Sequence, residues 1–215
     1  MKKTLSAPLT GLLAVALLLT GCAASEKKQT LDNAPLLTAV ISEATQLKEA
    51  VTLLEKKDNR RAMRAFLELK EHATDEKIRA EAVLGAAVAL QRLGNISGAI
   101  GTLMPAPAEA LSEIDARHQA LLGELYLRSR AYGTAKYWLQ EALEFNDLPD
   151  APWVAAARFN LGKAQIALDD PEDAIIAFEA AAKTFAKLGN PTAAEISASA
   201  ARRLKSIEKL SVEKK

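Results

Sequence analysis

The chain has 215 residues, with 28 basic against 27 acidic, 49% hydrophobic and only 5% aromatic. A balance this even excludes the strongly basic face expected of a nucleic-acid binder. One cysteine excludes a disulfide framework. The length suffices for one good core, or for an elongated array with no single centre.

Lys2 and Lys3 open the chain, and the apolar run Gly11–Leu19 follows. A spanning helix needs roughly twenty apolar residues, so this run reads as a cleaved export signal, residues 1–21. It closes on Leu19-Thr20-Gly21-Cys22. Leu-x-Gly-Cys at this distance from a charged start resembles the signal of bacterial lipoproteins. The resemblance implies that Cys22 becomes the mature amino terminus and carries acyl chains. One chain anchors only marginally, at about 0.8 kcal/mol per buried methylene; two or more hold permanently. In those families an aspartate after the cysteine retains the lipoprotein in the inner membrane. Ala23 stands here, so the resemblance implies an outer-membrane, lipid-anchored protein facing the periplasm.

Residues 22–35 are small, polar or charged and show no helical periodicity. They read as a lipidated tether of about 40 Å at full stretch, at roughly 3.3–3.6 Å per residue. Residues 36–211 are expected to form the folded domain. Alanine, leucine, glutamate and lysine dominate it, with no strand-like alternation, which predicts an all-α chain.

The domain repeats itself. Ala62, Ala99, Ala135 and Ala174 are each followed four residues on by Phe66, Leu103, Leu139 and Phe178, and preceded twelve residues back by Ala50, Ala87, Gly123 and Gly162. Two antiparallel helices approach closely only where one presents no bulk, and the large residue fills the space beside it. Turns are expected at Lys57-Asp58-Asn59, Leu93-Gly94-Asn95, Arg130-Ala131-Tyr132 and Asp169-Asp170-Pro171, with Asp170 as a cap before a helical proline. After Gly189-Asn190-Pro191, Thr192 and Glu195 suggest a capping box. The last helix is expected to run to about Leu210, with Ala193, Ile196, Ala200, Leu204 and Ile207 as its apolar positions against Arg202, Arg203 and Lys205.

Leu122-Gly123-x-x-Tyr126 with Tyr132-x-x-Ala135-x-x-x-Leu139-x-x-Ala142, and Leu161-Gly162 with Pro171-x-x-Ala174-x-x-x-Phe178-x-x-Ala181, resemble the tetratricopeptide repeat family. The resemblance covers roughly residues 43–188. It implies an α-α superhelix of about four hairpins plus a C-terminal capping helix. The equivalent alanines lie about 36–39 residues apart against about 34 in the standard repeat, which places extra residues in linkers such as Pro105-Ala106-Pro107 and 146–152.

Chemistry is hard to find in this chain. His72 and His118 lack partners at metal-ligand spacing, and 169–173 lacks the alternating oxygen ligands of a calcium loop. Its acidic residues suit a helix start. Phosphate-loop, dinucleotide and nucleophile-elbow motifs are absent from the sequence. The expectation is a non-enzyme with no cofactor and no metal. Nothing in the residues specifies an oligomeric state.

Binding candidates come from two sources. Seven of the aromatic residues fall between Tyr126 and Phe159, and aromatics are enriched at interface hot spots. Trp138 and Trp153 are therefore candidates for a partner surface, with packing between the longer linkers as the competing reading. The resemblance also implies a groove lined by the first helix of each unit, where Arg92, Glu124, Arg128, Phe159 and Lys163 would stand. The carboxylate-gripping lysines and asparagines of some family members are replaced here by Leu47, Val51, Leu84 and Val88.

Together these features lead to an expected scaffold for envelope proteins or peptides, held to the membrane through Cys22 and serving pilus or secretion-apparatus biogenesis in the manner of a pilotin. The alternatives are an adaptor for cell-wall hydrolases, a part of outer-membrane protein insertion, or a glycan-binding accessory of a wall or polysaccharide enzyme.

Overall fold

Nine helices and no strand occur among the described residues, 34–104, 112–146 and 148–212 of a computed structural model. They are α1 (Ala34–Glu55), α2 (Asn59–His72), α3 (Glu76–Arg92), α4 (Ile96–Leu103), α5 (Glu113–Arg128), α6 (Tyr132–Leu143), α7 (Pro152–Ala167), α8 (Pro171–Lys187) and α9 (Pro191–Val212). The contacts given below lie within the unit Ala39–Lys215. The export signal, Cys22 and the tether up to 33 lie outside the described residues, as does Pro105-Ala106-Pro107. None of the described helices is long and apolar enough to cross a membrane.

Each helix packs on its sequence neighbour, so the chain is a series of hairpins: α1 with α2, α3 with α4, α5 with α6, α7 with α8, and α9 against α8. This is the expected all-α stack of four hairpins and a terminal helix. The small-to-large pairing that the repeat predicted is its internal contact. A Cβ on Gly123 would stand 2.5 Å from Leu139 Cγ, and one on Gly162 would stand 2.9 Å from the Phe178 ring. Leu139 and Phe178 are buried in the space those glycines leave.

Between hairpins the same device recurs with other residues. Phe66, fully buried, lies in a cluster with Ala50, Ala62, Ala82, Ala86 and Ala89, and its ring sits directly over Gly85 of the next unit. Leu127, Ala135 and Ala164 join the third hairpin to the fourth. Alanine thus dominates the core because helices that touch at methyl groups can approach at the short end of the usual 8–10 Å spacing.

One turn geometry closes five of the helices. Lys57, Gly94, Arg130, Asp169 and Gly189 all adopt a left-handed backbone, with φ between 62° and 81°. At each, the left-handed residue donates its N–H three residues back, and the next residue donates five residues back: Arg130 to Leu127 and Ala131 to Tyr126, for example, at 3.1 and 2.9 Å. This satisfies carbonyls that would otherwise be orphaned at the helix end. Asp58, Asp75, Asn95, Ser112 and Asn190 then cap the following helices through side-chain oxygens.

Two expected caps differ in detail. Asp170 stands at the N-cap of α8 with Pro171 in the first turn, as expected, but its side chain makes no capping bond; its Oδ2 accepts from Lys136 Nζ at 2.6 Å instead. The cap of α9 is Asn190, whose Oδ1 accepts from the Ala193 N–H at 3.1 Å, while Glu195 pairs with Arg202 instead of closing a capping box.

The face α9 turns to α8 carries the expected Ala200 and Leu204, half-buried against Ala174, Ile175 and Phe178, but not the expected isoleucines. Ser197 and Ala201 are the buried residues, with Ala201 in the cluster of Ala174, Ile175 and Phe178. Ile196 and Ile207 point outward, 56% and 61% exposed. Small side chains and Leu204 make this contact together, and the two isoleucines lie outside it.

Candidate partner-binding face

The first helices α1, α3, α5 and α7 stand side by side, and a set of polar contacts joins each to the next. At the first seam the Glu43 carboxylate, nearly fully buried, accepts from Thr74 N–H and Thr74 Oγ1 at 2.9 Å each and from Asp75 N–H at 3.2 Å. The Thr74 backbone bond is the main cause that holds this carboxyl below its ordinary range; burial opposes it in part. Arg92 Nη1 donates to the Leu54 carbonyl at 2.7 Å across the same seam.

At the second seam Gln91 Nε2 donates to Glu124 Oε1 at 2.6 Å, and Arg117 Nη1 pairs with Glu81 at 2.8 Å. His118 Nε2 lies 2.6 Å from the Leu103 carbonyl. Burial lowers the affinity of this imidazole for a second proton, and the Leu103 contact offsets that in part.

The third seam is built differently. Its polar ties are Lys136 to Asp170 and Trp153 Nε1 to Glu113 Oε1 at 3.3 Å. On the first-helix face, the residues equivalent to Gln91 and Glu124 are Leu127 and Lys163. Leu127 is buried and apolar, so the lock of the second seam has no counterpart, and Lys163 is left facing outward.

The seven candidate residues therefore separate into two groups. Arg92 and Glu124 are engaged in seam contacts. Trp138 is half-buried against the cluster of Leu84, Leu103 and Leu122, with its ring 5.0 Å from that of Tyr137, which is 47% exposed. Trp153 packs on Ala120, Leu139, Ala142 and Ala157. Phe159 stacks at 5.2 Å on Phe178 and touches the cluster that holds Ala201. Trp138 and Trp153 pack between units, along the line of their competing reading, and Phe159, the groove candidate, packs within its own hairpin and against α9. Arg128 and Lys163 make up the second group. Both are exposed, and neither makes a hydrogen bond or ion pair with any described residue. Ile166, 44% exposed, follows Lys163 on α7.

Sequence reasoning missed Glu43 and Gln91. Gln91 had a signal: its equivalents Leu54, Leu127 and Ile166 are all apolar, so an amide in that register marked a specific contact. Glu43 had none, because its partners are backbone amides of a turn.

No described trio of histidine, aspartate or glutamate residues is placed to hold a metal ion. A cleft of about 570 Å³ lies between the starts of α3 and α5 and is lined by charges of both signs, including Glu76, Lys77, Glu113 and Arg117.

No protein-family model and no curated sequence matches the chain. Solved structures do. BtubC from P. vanneervenii is 17% identical, with a TM-score of 0.56 over 84% of this chain and 86% of its own. A crystal structure of MamA is 19% identical with a TM-score of 0.49, over 74% of this chain and 96% of that one. A second MamA structure, from MSR-1, is 17% identical with a TM-score of 0.47, over 78% and 99%. At 17% identity the likeness to BtubC extends to the fold alone, a tetratricopeptide-like stack of helical hairpins.

Proposed function

We propose that this protein is an outer-membrane lipoprotein, acylated on Cys22, whose stacked hairpins recruit protein or peptide partners of an envelope assembly, foremost a pilus or secretion apparatus. It performs no chemistry of its own. The observation that carries the reading is the surplus of Arg128 and Lys163. Arg92 and Glu124 on the first-helix face are tied into seams, whereas these two make no hydrogen bond or ion pair with any described residue and remain available to a ligand. The tether motif Leu19-Thr20-Gly21-Cys22 supports the anchored half. Anchoring confines scaffold and partner to one thin layer and raises their effective concentration, so modest affinity suffices.

A photo-crosslinking amino acid at 128 or 163, in cells making the full chain, should capture a small set of envelope proteins by mass spectrometry. The same label at exposed Lys56 should not. Capture of identical proteins from all three positions would remove the binding-face claim. Membrane retention of the Cys22→Ser chain would remove the anchor.

A further inference from the structure

The four most exposed large apolar side chains among the described residues all lie on the last two helices: Ile176 on α8 at 66%, and Ile196, Ile207 and Leu210 on α9 at 56%, 61% and 56%. At 100° per residue, Ile196, Ile207 and Leu210 fall within a sector of about 60°. They form one line roughly 21 Å long at 1.5 Å per residue. Arg203 falls in the middle of that line. It is exposed and makes no ion pair or hydrogen bond with any described residue. Arg202, paired to Glu195, and Lys209 stand further round the helix, about 110–130° from the centre of that line.

We propose that this outer stripe of α9 seats on an anionic phospholipid surface, with the three aliphatic side chains entering the headgroup boundary and Arg203 meeting lipid phosphate. A helix with an apolar line and basic residues further round lies in such an interface, and long basic side chains reach the phosphates while their stems stay in the apolar layer.

The chemistry of the stripe selects this occupant over a second copy. An antiparallel pair that buried the line would match Ile196 with Ile207 or with Leu210. Either register brings the two Arg203 guanidinium groups to within one helical turn of each other at the two-fold axis, like charges in an apolar contact. A phosphate-bearing surface supplies the missing opposite charge. The stripe also lies on the terminal helix, whose packing among the described helices is chiefly against α8. This inference does not need acylation of Cys22, and its test removes that cysteine.

Cys22→Ser leaves the chain without a thiol, so Ser206→Cys can be labelled uniquely with a polarity-sensitive fluorophore beside Ile207. Emission from this site reports α9 itself, whatever the amino-terminal segment does. Vesicles of phosphatidylcholine with phosphatidylglycerol should shift the emission to the blue, and vesicles of phosphatidylcholine alone should not. Replacing Ile196, Ile207 and Leu210 by serine should raise the vesicle concentration needed for the shift by about ten-fold or more, with the circular dichroism unchanged because all three are exposed. Arg203→Gln should weaken it by several-fold and reduce its salt dependence. The proposal is overturned by equal shifts on the two vesicle types, by no shift on either, or by a shift that the serine variant retains. A protein-concentration-dependent shift without vesicles, abolished by the serine variant, would instead assign the stripe to self-association.

Discussion

Gly85 of α3 lies under the ring of Phe66 of α2 so closely that a Cβ added to it would stand 2.4 Å from a ring carbon. Phe66 is fully buried among alanines, so the ring has nowhere to go. Gly85→Ala should therefore destabilise by about 1–3 kcal/mol, the usual cost of overpacking, even though alanine is the better helix former by about 1 kcal/mol. Gly101, inside α4 with nothing within 4 Å of its Cβ position, supplies the opposite sign. Gly101→Ala should stabilise by roughly 0.5–1 kcal/mol. Urea denaturation of both variants checks the pair. A Gly85→Ala chain as stable as the parent would mean the first two hairpins stack less tightly than this.

The left-handed turns make a second prediction. At Arg130, a residue with a Cβ occupies a φ of 63°, at a cost of about 1–2 kcal/mol relative to the right-handed region. Its side chain is exposed and bonds to nothing described. Arg130→Gly should stabilise by about 0.5–1 kcal/mol, after the extra freedom that glycine gives the unfolded chain is set against the relief. The corresponding change in Tm is a few degrees upward. Gly94→Ala, at φ 81°, should lower Tm. Both follow from differential scanning calorimetry, and a fall in Tm for Arg130→Gly would contradict the turn assignment.

How much of this was written in the sequence depends on the length scale. The contact of Gly123 with Leu139 and of Gly162 with Phe178 was legible because the two partners belong to one hairpin, at a fixed offset set by helix geometry. The turns were legible too, although only Gly94 and Gly189 carry the residue that the backbone prefers. Contacts across seams were not. Lys136 and Asp170, or Glu43 and Thr74, are joined by stacking geometry, and no spacing rule relates them. Asp170 holds the N-cap position that its spacing marked, but the partner of its carboxylate, Lys136 of the neighbouring unit, could not be read from spacing. On α9 the periodicity found Ala200 and Leu204, but it turned Ile196 and Ile207 inward and passed over Ser197 and Ala201, because it weighs the larger apolar residues most.

Glu43 makes acid sensitivity local to the first seam. Its carboxyl sits below the ordinary value near 4.5, chiefly through the Thr74 amide. A depressed folded-state value means that the stabilisation is fully present above the unfolded-state value and is lost as pH falls through the folded one. Glu43→Gln can keep one acceptor for Thr74 but turns an amide N–H toward the Asp75 N–H. The variant should therefore be less stable than the parent at neutral pH, and the gap should narrow once the parent's carboxyl protonates in acid. Thermal unfolding across that range tests the sign. A gap independent of pH would mean that Glu43 acts through packing alone.

Lys163 and Arg128 distinguish binding from folding. Both are exposed and tied to nothing described, so Lys163→Glu should change stability by less than about 0.5 kcal/mol, and Arg128→Glu, in the last turn of α5, should cost about 0.5–1.5 kcal/mol through the helix dipole. If the first-helix face holds a partner, reversing one of these charges exchanges an attraction for a repulsion, and affinity should fall by about ten-fold or more. Glu124→Gln is the informative contrast. It replaces the charge-assisted bond from Gln91 by a neutral one at the second seam, so it should weaken stacking by about 1 kcal/mol and affect partner capture only through that loss. Circular dichroism melts beside quantitative crosslinking of the three variants separate the two effects. Unaltered capture by both charge reversals would move the binding site off this face, toward the half-buried aromatic pair of Tyr137 and Trp138 on α6.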